Sequence, residues 1–446
     1  ARKEAATDQA RSEAEAAADV QEERLVSLLR GVSSTVTVDL ATDGPNQASR
    51  IPVLLPGNVG GLLLRIAGGE EEHQYFTIDY TLAVAENSGP IAIEVAPLGT
   101  TWALVSLTDV PVGRTSLLFE FRSKTLGRVR WPLDVQVPQP ARLKINILSP
   151  DTGGPTPAMV RLVWKTDGRD YRPSNAVDFT PQFDGQGRTS SRRRAYLPGR
   201  LHGYYWCVPG PLDMSVQPGE WEITIRRGLE HVPIFDSISM PEGMTLEKTY
   251  TPRRWVDMPA RGWFSGDDHV HFRIMSDDDA RRLMTWVKAE DVHLTNVARM
   301  GDVSRTFFEQ RGFGPQYRII DGEFVLSPGQ EGPRTHGKQR LGHILGMNIT
   351  SMVHDTSRYF LYDWVLDAVR KQGGLAGYAH GHRYSHAELD MSINIPGNRV
   401  DFVEVMQVAV LGTEIYYEFL NLGFKLTASA GSDAPFAGTV GEERVY

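Results

Sequence analysis

The sequence predicts a multidomain protein in which an N-terminal helix and two β-sandwich-like domains precede an α/β barrel. Its 446 residues suffice for about three domains. Up to about residue 254, short runs of alternating apolar and polar residues are separated by Gly, Pro, Asn and Asp, which is typical of β-sandwiches. Beyond that residue, strand-like apolar runs alternate with helix-like runs, which favours a barrel of parallel strands.

The N-terminal segment 2–30 is rich in Ala, Glu and Arg and contains neither Pro nor Gly, so it predicts a single helix that Gly31 ends. Its apolar residues lie only near its end, within 25–29. The simpler interpretation is a solvated helix docked by its last turns. The alternative is an oligomer contact, which would make the protein a homodimer.

The domain boundaries follow from the change in pattern and from Pro-rich connecting segments. We predict the helix at 1–31, a β-sandwich domain at 32–138, a second β-rich domain at 139–254 and the barrel at 255–446. Within the barrel, strands are expected near 262–272, 292–298, 341–349, 375–380, 401–407 and 425–433. Helices are expected at 278–290, 359–374 and 413–423.

The composition argues against two classes of partner. The formal net charge is −8 and no long basic run is present, so neither nucleic acid nor an anionic membrane surface is expected as a partner. No run reaches the roughly 18 consecutive apolar residues of a transmembrane helix. The only cysteine, Cys207, can form neither an internal disulfide nor a cysteine-based zinc site.

Histidines are concentrated in the predicted barrel, where nine of the 12 lie between residues 269 and 386. Histidine is the commonest metal ligand in proteins. His269 and His271 are two residues apart on a predicted strand, so their side chains point to the same face and can reach one ion. Asp267 and Asp268 precede them, either as acceptors that orient the imidazoles or as turn residues.

Further candidate ligands lie at or near the ends of other predicted strands, where barrel active sites are built. They are Glu331, His343, His380 and Asp433. Four histidines and two carboxylates suit zinc, manganese or iron better than calcium or magnesium. Two such ions would hold a water molecule and lower its pKa, so that it could act as the nucleophile. The chain lacks a GxSxG motif, which would supply a serine nucleophile instead.

The segments GWFSGDDHVHF, SPGQEG, LGHILGMNI, GYAHGH and ASAGSDAP resemble the metal-binding motifs of the PHP (polymerase and histidinol phosphatase) superfamily. More narrowly, they are similar to those of the CehA/McbA family of metallohydrolases, which includes carbaryl (N-methylcarbamate ester) hydrolases. The resemblance covers about residues 250–446. It implies a PHP-type distorted α/β barrel preceded by β-sandwich-like domains.

The resemblance also implies how the ligands divide between metals. One ion would take His269, His271, Glu331 and Asp433, and a second would take Glu331, His343 and His380. Two histidines that the superfamily often uses for a third ion have no clear match, and Asp277 and Asp302 stand nearest to their positions. The last motif also departs, because Pro435 stands where Asp-x-His is common. We therefore expect two divalent ions, zinc or manganese with iron as an option.

The expected activity is hydrolysis of a carbamate or carboxylic ester of a small molecule by a metal-bound hydroxide. Asp433 is expected to be catalytic as well as a ligand. His382 is a candidate proton donor to the leaving oxygen, although a replacement ligand and a loop histidine without a role are the alternatives. Candidate substrate-binding residues are Tyr378, Arg383, Tyr384 and Phe436.

Two other functions stay open. A PHP-type phosphoesterase would use the same site, but the motif loops contain few basic residues, which favours a neutral ester. The other is a binding protein whose barrel keeps metal for stability alone. The start at Ala1 fits a processed chain, so a periplasmic or secreted location is expected, with the cytoplasm as the alternative. PHP barrels usually continue beyond the position of Tyr446, so either the chain is a fragment or the ring closes unusually.

Overall fold

The computed structural model of the protein is mostly β-sheet with few helices. The structure describes residues 34–39, 53–54, 60–67, 77–80, 92–98, 102–108, 110–123, 127–166, 168–183, 197–198, 205–334, 341–381, 388–407, 409–436 and 438–446. The N-terminal helix predicted at 1–31 lies outside these residues. None of the described helices combines the length and apolar character that a membrane span requires.

Two four-stranded sheets form the first part of the chain. Their strands are β1 (Ser34–Asp39), β2 (Val53–Leu54), β3 (Gly60–Ala67), β4 (Thr77–Tyr80), β5 (Ala92–Leu98), β6 (Trp102–Thr108), β7 (Gly113–Ser123) and β8 (Gly127–Val137). One sheet has the order β1-β3-β6-β5 and the other β2-β8-β7-β4. Alternate apolar residues such as Val105, Leu107, Leu133 and Val135 are fully buried, as expected for strands with one face on a core.

Two further sheets form the second part and share one apolar core. Their strands are β9 (Ala141–Ile147), β10 (Ala158–Trp164), β11 (Arg169–Asp170), β12 (Trp206–Val208), β13 (Leu212–Val216), β14 (Gly219–Arg226), β15 (Ile234–Met240) and β16 (Thr245–Tyr250). The orders are β13-β9-β16 and β11-β10-β14-β15, with β12 on β10. Leu143 and Ile145 of one sheet and Leu162 and Ile223 of the other belong to the same buried cluster, so this part is sandwich-like.

A ten-stranded mixed sheet follows. Its strands are β17 (Gly266–Val270), β18 (Leu294–Gly301), β19 (Thr306–Phe307), β20 (Ile319–Asp321), β21 (Phe324–Arg334), β22 (His343–Met347), β23 (Leu375–Ala379), β24 (Phe402–Gln407), β25 (Val410–Leu411) and β26 (Thr427–Ala430). The order is β17-β18-β21-β22-β23-β24-β25, with β19 on β18, β20 on β21 and β26 on β24. An isolated parallel bridge joins Val270 to Ala434, which links the first strand to the segment that follows the last.

The described helices are short. They are α1 (Thr180–Phe183), α2 (Asp277–Ala289), α3 (Tyr362–Lys371), α4 (Glu388–Asn394) and α5 (Glu414–Asn421), with 3-10 turns at Pro259–Arg261, Pro315–Tyr317 and Thr356–Arg358. Helix α2 begins with a capping box, in which the Ser276 hydroxyl accepts from the Asp279 amide and the Asp279 carboxylate accepts from the Ser276 amide.

The expectation of parallel strands holds for only part of the mixed sheet. Strands β17, β18 and β21 pair in parallel, as do β23, β24 and β26. Strand β22 is antiparallel to both of its neighbours, which corrects the prediction of an all-parallel barrel. The connection from β21 to β22 has only eight residues, which is shorter than a parallel crossover requires, so the chain turns back on itself.

Apolar and charged contacts join the second pair of sheets to the mixed sheet. The ring of Phe179 lies 4.7 Å from that of Trp286 in α2, and the ring of Phe183 lies 5.5 Å from that of Phe272. All four rings belong to one buried cluster. The apolar core is therefore continuous across the boundary predicted at residue 254.

A buried ion cluster reinforces this junction. Arg254 donates to Asp291 Oδ2 at 2.7 Å and to Glu230 Oε2 at 3.0 Å, and Arg227 lies 3.3 Å from Asp291 Oδ1. Asp291 and Glu230 are almost completely buried. Burial by itself favours the neutral form of Asp291, but Arg227 and Arg254 outweigh it and hold the pKa of that carboxyl below its usual range.

We expect Arg254→Met to lower the free energy of unfolding by about 3 kcal/mol, because it leaves two buried carboxylates without their shared cation. Urea unfolding followed by circular dichroism measures the change. Arg142→Met is the matched control, since the Arg142–Asp213 ion pair is largely exposed and its loss should barely move the midpoint. Equal midpoints for the two variants would contradict a stabilising role of the cluster.

Candidate metal centre

All six predicted metal ligands come together at one end of the mixed sheet. His269 lies in β17 with His271 just beyond it, Glu331 lies in β21, His343 begins β22, and His380 and Asp433 follow β23 and β26. They form three overlapping groups whose ligand atoms lie within 4.8 Å of one another and could hold a metal ion. The groups are His269 with His271 and Glu331, Glu331 with His343 and His380, and His269 with His380 and Asp433.

His269 and His271 are completely buried, and their Nε2 atoms face each other at 3.1 Å. The two-residue spacing places both rings on the same side of the strand, as the sequence predicts. Nδ1 of His271 lies 2.9 Å from the carbonyl oxygen of Ala298, which can only accept a hydrogen bond. Nδ1 therefore carries a proton, and Nε2 is the nitrogen that faces the cluster.

Glu331 is the residue shared by two of the groups, and it is buried. Its Oε1 lies 2.7 Å from Nδ1 of His343, and its Oε2 lies 3.3 Å from Nε2 of His271. Nε of Arg334 approaches Oε2 to 2.9 Å without forming a hydrogen bond. Burial favours the neutral acid, but Arg334 and His343 outweigh it and hold the pKa of Glu331 well below its usual range, so the carboxylate is ionised.

His343 and His380 form the far side of the cluster. Nδ1 of His343 lies 3.0 Å from Nε2 of His380. The same Nε2 atom of His380 lies 3.6 Å from Glu331 Oε1. Burial lowers the pKa of His343 to about 3, even though Glu331 favours its charged form. His343 is therefore neutral at physiological pH, which is the form that binds metal.

Asp433 completes the set. Its Oδ1 lies 3.2 Å from Nε2 of His271 and 3.6 Å from Nε2 of His269. Burial opposes ionisation, but the two histidines outweigh it and lower the pKa of Asp433 to about 2. Asp433 and His380 both have left-handed backbone conformations, with φ of 50° and 46°. Such strain in residues other than glycine is found preferentially at functional sites.

The donor set fits a cation. Nδ1 of His269 lies 3.3 Å from the Glu404 carboxylate and 3.2 Å from Nε2 of Gln407, so Nε2 of His269 is the nitrogen that faces His271. Two ring nitrogens 3.1 Å apart repel each other unless a proton or a metal cation lies between them. Glu331 Oε2 is buried without a hydrogen-bond partner among the described residues. Histidine nitrogens with ionised carboxylates are the donors that zinc, manganese and iron accept.

Two residues of this site were missed by the sequence analysis. Glu404, fully buried in β24, contacts His269 and accepts from the His380 amide at 2.5 Å. Gln407, also buried in β24, accepts from Nδ1 of His380 through its side-chain oxygen. The segment DFVEVMQ (401–407) contains a signal for Glu404, because a glutamate in the middle of a buried strand requires a polar partner.

The two aspartates before His269 have different surroundings. Asp267 accepts from the Ser432 amide at 3.0 Å and from the Gly441 amide at 2.7 Å, so it ties β17 to the segment that carries Asp433. Both carboxylate oxygens of Asp268 are buried and lack a hydrogen-bond partner within the described chain. Burial, reinforced by Glu404, raises the pKa of Asp268 well above its usual range.

The two candidates for a third metal do not join the cluster. Asp277 is exposed at the start of α2 and pairs with Arg311 at 2.7 Å. Asp302 accepts from the amides of Ser304 and Arg305, so it organises a turn. Neither belongs to the ligand groups found among the described residues.

The predicted substrate-binding residues divide into three cases. The ring of Phe436 lies 5.7 Å from that of His271, beside the cluster, where Phe308 also stacks on His271 at 5.2 Å. Tyr378 is fully buried in the core and its hydroxyl donates to Asp390, so its placement does not fit a substrate-binding role. The remaining candidates lie outside the described residues, and these are His382, Arg383 and Tyr384.

Comparisons with known proteins do not assign a family. No family model and no curated protein matches the chain. Among solved structures, BcpA, the major pilin subunit of Bacillus cereus, is 14% identical with a TM-score of 0.18, and the match covers 40% of this chain and 56% of BcpA. GBS52, the minor pilin of Streptococcus agalactiae, is 12% identical with a TM-score of 0.22, over 50% of this chain and 97% of GBS52.

A hydrolase is also among the similar structures. The endo-fucoidan hydrolase MfFcnA4 from glycoside hydrolase family 107 is 11% identical with a TM-score of 0.17, over 48% of this chain and 28% of the hydrolase. Likenesses at these TM-scores carry no argument about the fold or the activity of this chain.

Proposed function

We propose that this protein is a metal-dependent hydrolase that cleaves a carbamate or carboxylic ester of a small molecule. The observation that carries the proposal is the convergence of six buried or half-buried ligands into three overlapping groups, two of which share Glu331. A carboxylate common to two groups suits a pair of ions, since it can bridge them. Its neighbours are histidines whose ring nitrogens are already oriented by hydrogen bonds.

We further propose that the mixed sheet is a distorted barrel of the PHP type. Seven strands support this, because each is hydrogen-bonded to the next in the series β17, β18, β21, β22, β23, β24 and β26. The Val270–Ala434 bridge, with the His271 amide donating to the Ala434 carbonyl at 2.7 Å, supports closure between the last and the first of them. The six ligands lie at one end of this ring.

Two divalent ions, zinc or manganese with iron as an option, would be held by His269, His271, Glu331, His343, His380 and Asp433. When bound, they would supply Lewis acidity toward an ester oxygen and lower the pKa of a water molecule. The chain's own groups orient the ligand rings through Ala298, Glu404 and Gln407. Phe308 and Phe436 provide an apolar wall beside His271, which suits an aromatic leaving group. His382 is proposed as the proton donor to that group.

A phosphoesterase is the second candidate, and one observation favours it. Arg334 follows Glu331 by three residues, and the two would point to opposite faces of a regular strand. A register shift between them lets Nε of Arg334 approach Glu331 Oε2 to 2.9 Å. A guanidinium beside the ligands is suited to phosphate oxygens. The few basic residues in the motif loops favour a neutral ester and give no indication of this contact.

The decisive experiment combines metal analysis with three substrates. We expect about two ions per chain and turnover of 1-naphthyl N-methylcarbamate or 1-naphthyl acetate that a chelator abolishes and zinc or manganese restores, because nucleophile activation depends on the ions. Turnover of p-nitrophenyl phosphate alone would contradict the ester hydrolase and support the phosphoesterase. Bound metal without turnover of any of the three would favour a metal-stabilised binding protein, and absence of metal would refute both enzymes.

A further inference from the structure

We propose that Glu404 is a positioning residue that sets the ring orientation of one histidine in each of two ligand groups and so couples the loading of two metal ions. The inference rests on the proposed metal site and concerns how the chain prepares it. His269 belongs to the group with His271 and Glu331, whereas His380 belongs to the group with His343 and Glu331. Glu404 contacts both of these histidines from a neighbouring strand.

Three groups contact the Glu404 carboxylate, which is fully buried. Nδ1 of His269 lies 3.3 Å from Oε1, the backbone amide of His380 donates to Oε2 at 2.5 Å, and Nε2 of Gln407 donates to Oε1 at 3.5 Å. Gln407 connects the two histidines to this carboxylate, because its Nε2 also lies 3.2 Å from Nδ1 of His269 and its Oε1 accepts from Nδ1 of His380. Glu404 therefore holds both rings in place, directly and through Gln407.

The consequence for His269 is a defined ring orientation. With Nδ1 held against Glu404 and Gln407, Nε2 faces His271 and Glu331. That is the nitrogen that a metal would take. A ring turned away from this position could not ligate.

His380 is controlled in two ways. Its backbone amide is held by the Glu404 side chain, and the next amide, of Gly381, donates to the Glu404 carbonyl at 2.7 Å. These bonds support the left-handed conformation of His380, at a φ of 46°. Its Nδ1 donates to Gln407 Oε1, and the Gln407 amide is oriented because its Nε2 group donates to Glu404. Nε2 of His380 is thereby directed toward His343 and Glu331.

Glutamine has the size of Glu404 but offers one acceptor oxygen in place of two. Its NH₂ group would face either Nδ1 of His269 or the backbone amide of His380, so one of these two contacts would be lost. Because Gln407 connects the two rings, we expect this loss to release the orientation of both histidines and to weaken the binding of both metal ions.

The test compares Glu404→Gln with Glu443→Gln. Glu443 is a second buried glutamate near the site, which accepts from the Ala409 amide at 2.5 Å and makes no hydrogen bond or ion pair with a ligand histidine among the described residues. The metal-stripped proteins are titrated with Co²⁺ and followed by visible absorption and by metal content per chain. We expect both cobalt ions to bind about ten- to a hundredfold more weakly in Glu404→Gln, and to bind as in the wild type in Glu443→Gln.

A second variant tests the same connection from the side of Gln407. Gln407→Met serves if Glu404→Gln does not fold, because it removes the acceptor of His380 and should weaken cobalt binding about tenfold.

The outcomes are distinct. Wild-type affinity for both ions in folded Glu404→Gln or in Gln407→Met would overturn the inference, as would the loss of a single ion in Glu404→Gln. If the wild-type protein itself binds no cobalt, the proposed function fails, and this result is separate from a failure of the positioning role.

Discussion

Glu331→Gln is expected to abolish binding of both metal ions and to reduce ester turnover by about a thousandfold or more. Glu331 belongs to two ligand groups, and its carboxylate faces His271 on one side and His343 on the other. An amide would remove the anion that both groups share and would place a donor among ring nitrogens. Lewis-acid stabilisation supplies several kcal/mol to such reactions, and each 1.36 kcal/mol corresponds to a factor of ten in rate.

Metal content per chain and turnover of 1-naphthyl acetate measure this effect. Asp390→Asn is the matched control, because Asp390 is another buried carboxyl, in helix α4, which accepts from Tyr378 and Asn394 away from the cluster. The control should keep its metal even if it loses some stability. A Glu331→Gln protein that retains two ions would show that another residue joins the two groups.

Gly431→Ala should destabilise the protein by about 4 kcal/mol and reduce turnover at least about a hundredfold. A Cβ at this position would lie 2.2 Å from Asp268 Oδ1, 2.5 Å from Glu404 Oε1 and 2.5 Å from the Cβ of His269. None of these neighbours can yield easily, because each belongs to a fully packed strand. The substitution would displace Glu404 and His269 together, and both lie in the arrangement that prepares the metal site.

Thermal unfolding and turnover of the same preparations check this prediction. Gly154→Ala is a suitable control, since a Cβ there would meet only the Thr152 hydroxyl at 3.6 Å, an ordinary contact. An unchanged melting temperature for Gly431→Ala would mean that the strand can shift to make room. The close packing around Gly431 would then not be needed for stability or for the metal site.

Much of the candidate site could be predicted from residue types and strand periodicity. A period of two places His269 and His271 on one face, and the apolar runs identify the strands that end near Glu331, His380 and Asp433. This set of candidate ligands could be predicted without knowledge of side-chain geometry. The alternation of buried residues in β9, β10 and β14 also follows from the pattern of apolar residues in the sequence.

Other parts were inaccessible from the sequence because they depend on which strands pair. Glu404 contacts His269 across 135 positions of sequence, and nothing in the local pattern indicates that the two meet. Tyr378 is among the predicted substrate-binding residues, yet the register of β23 buries it in the core. Arg334 reaches Glu331 only through the register shift between them.

The sequence by itself determined the kinds of element and the chemistry of the ligands, since both follow from local patterns of apolarity and from side-chain type. The tertiary structure decided the antiparallel placement of β22, the sharing of Glu331 by two ligand groups and the buried contacts of Glu404 and Gln407. The physical reason is that periodicity constrains only the direction of a side chain on its own strand. Distances between strands are set by pairing and register, which are properties of the whole folded chain.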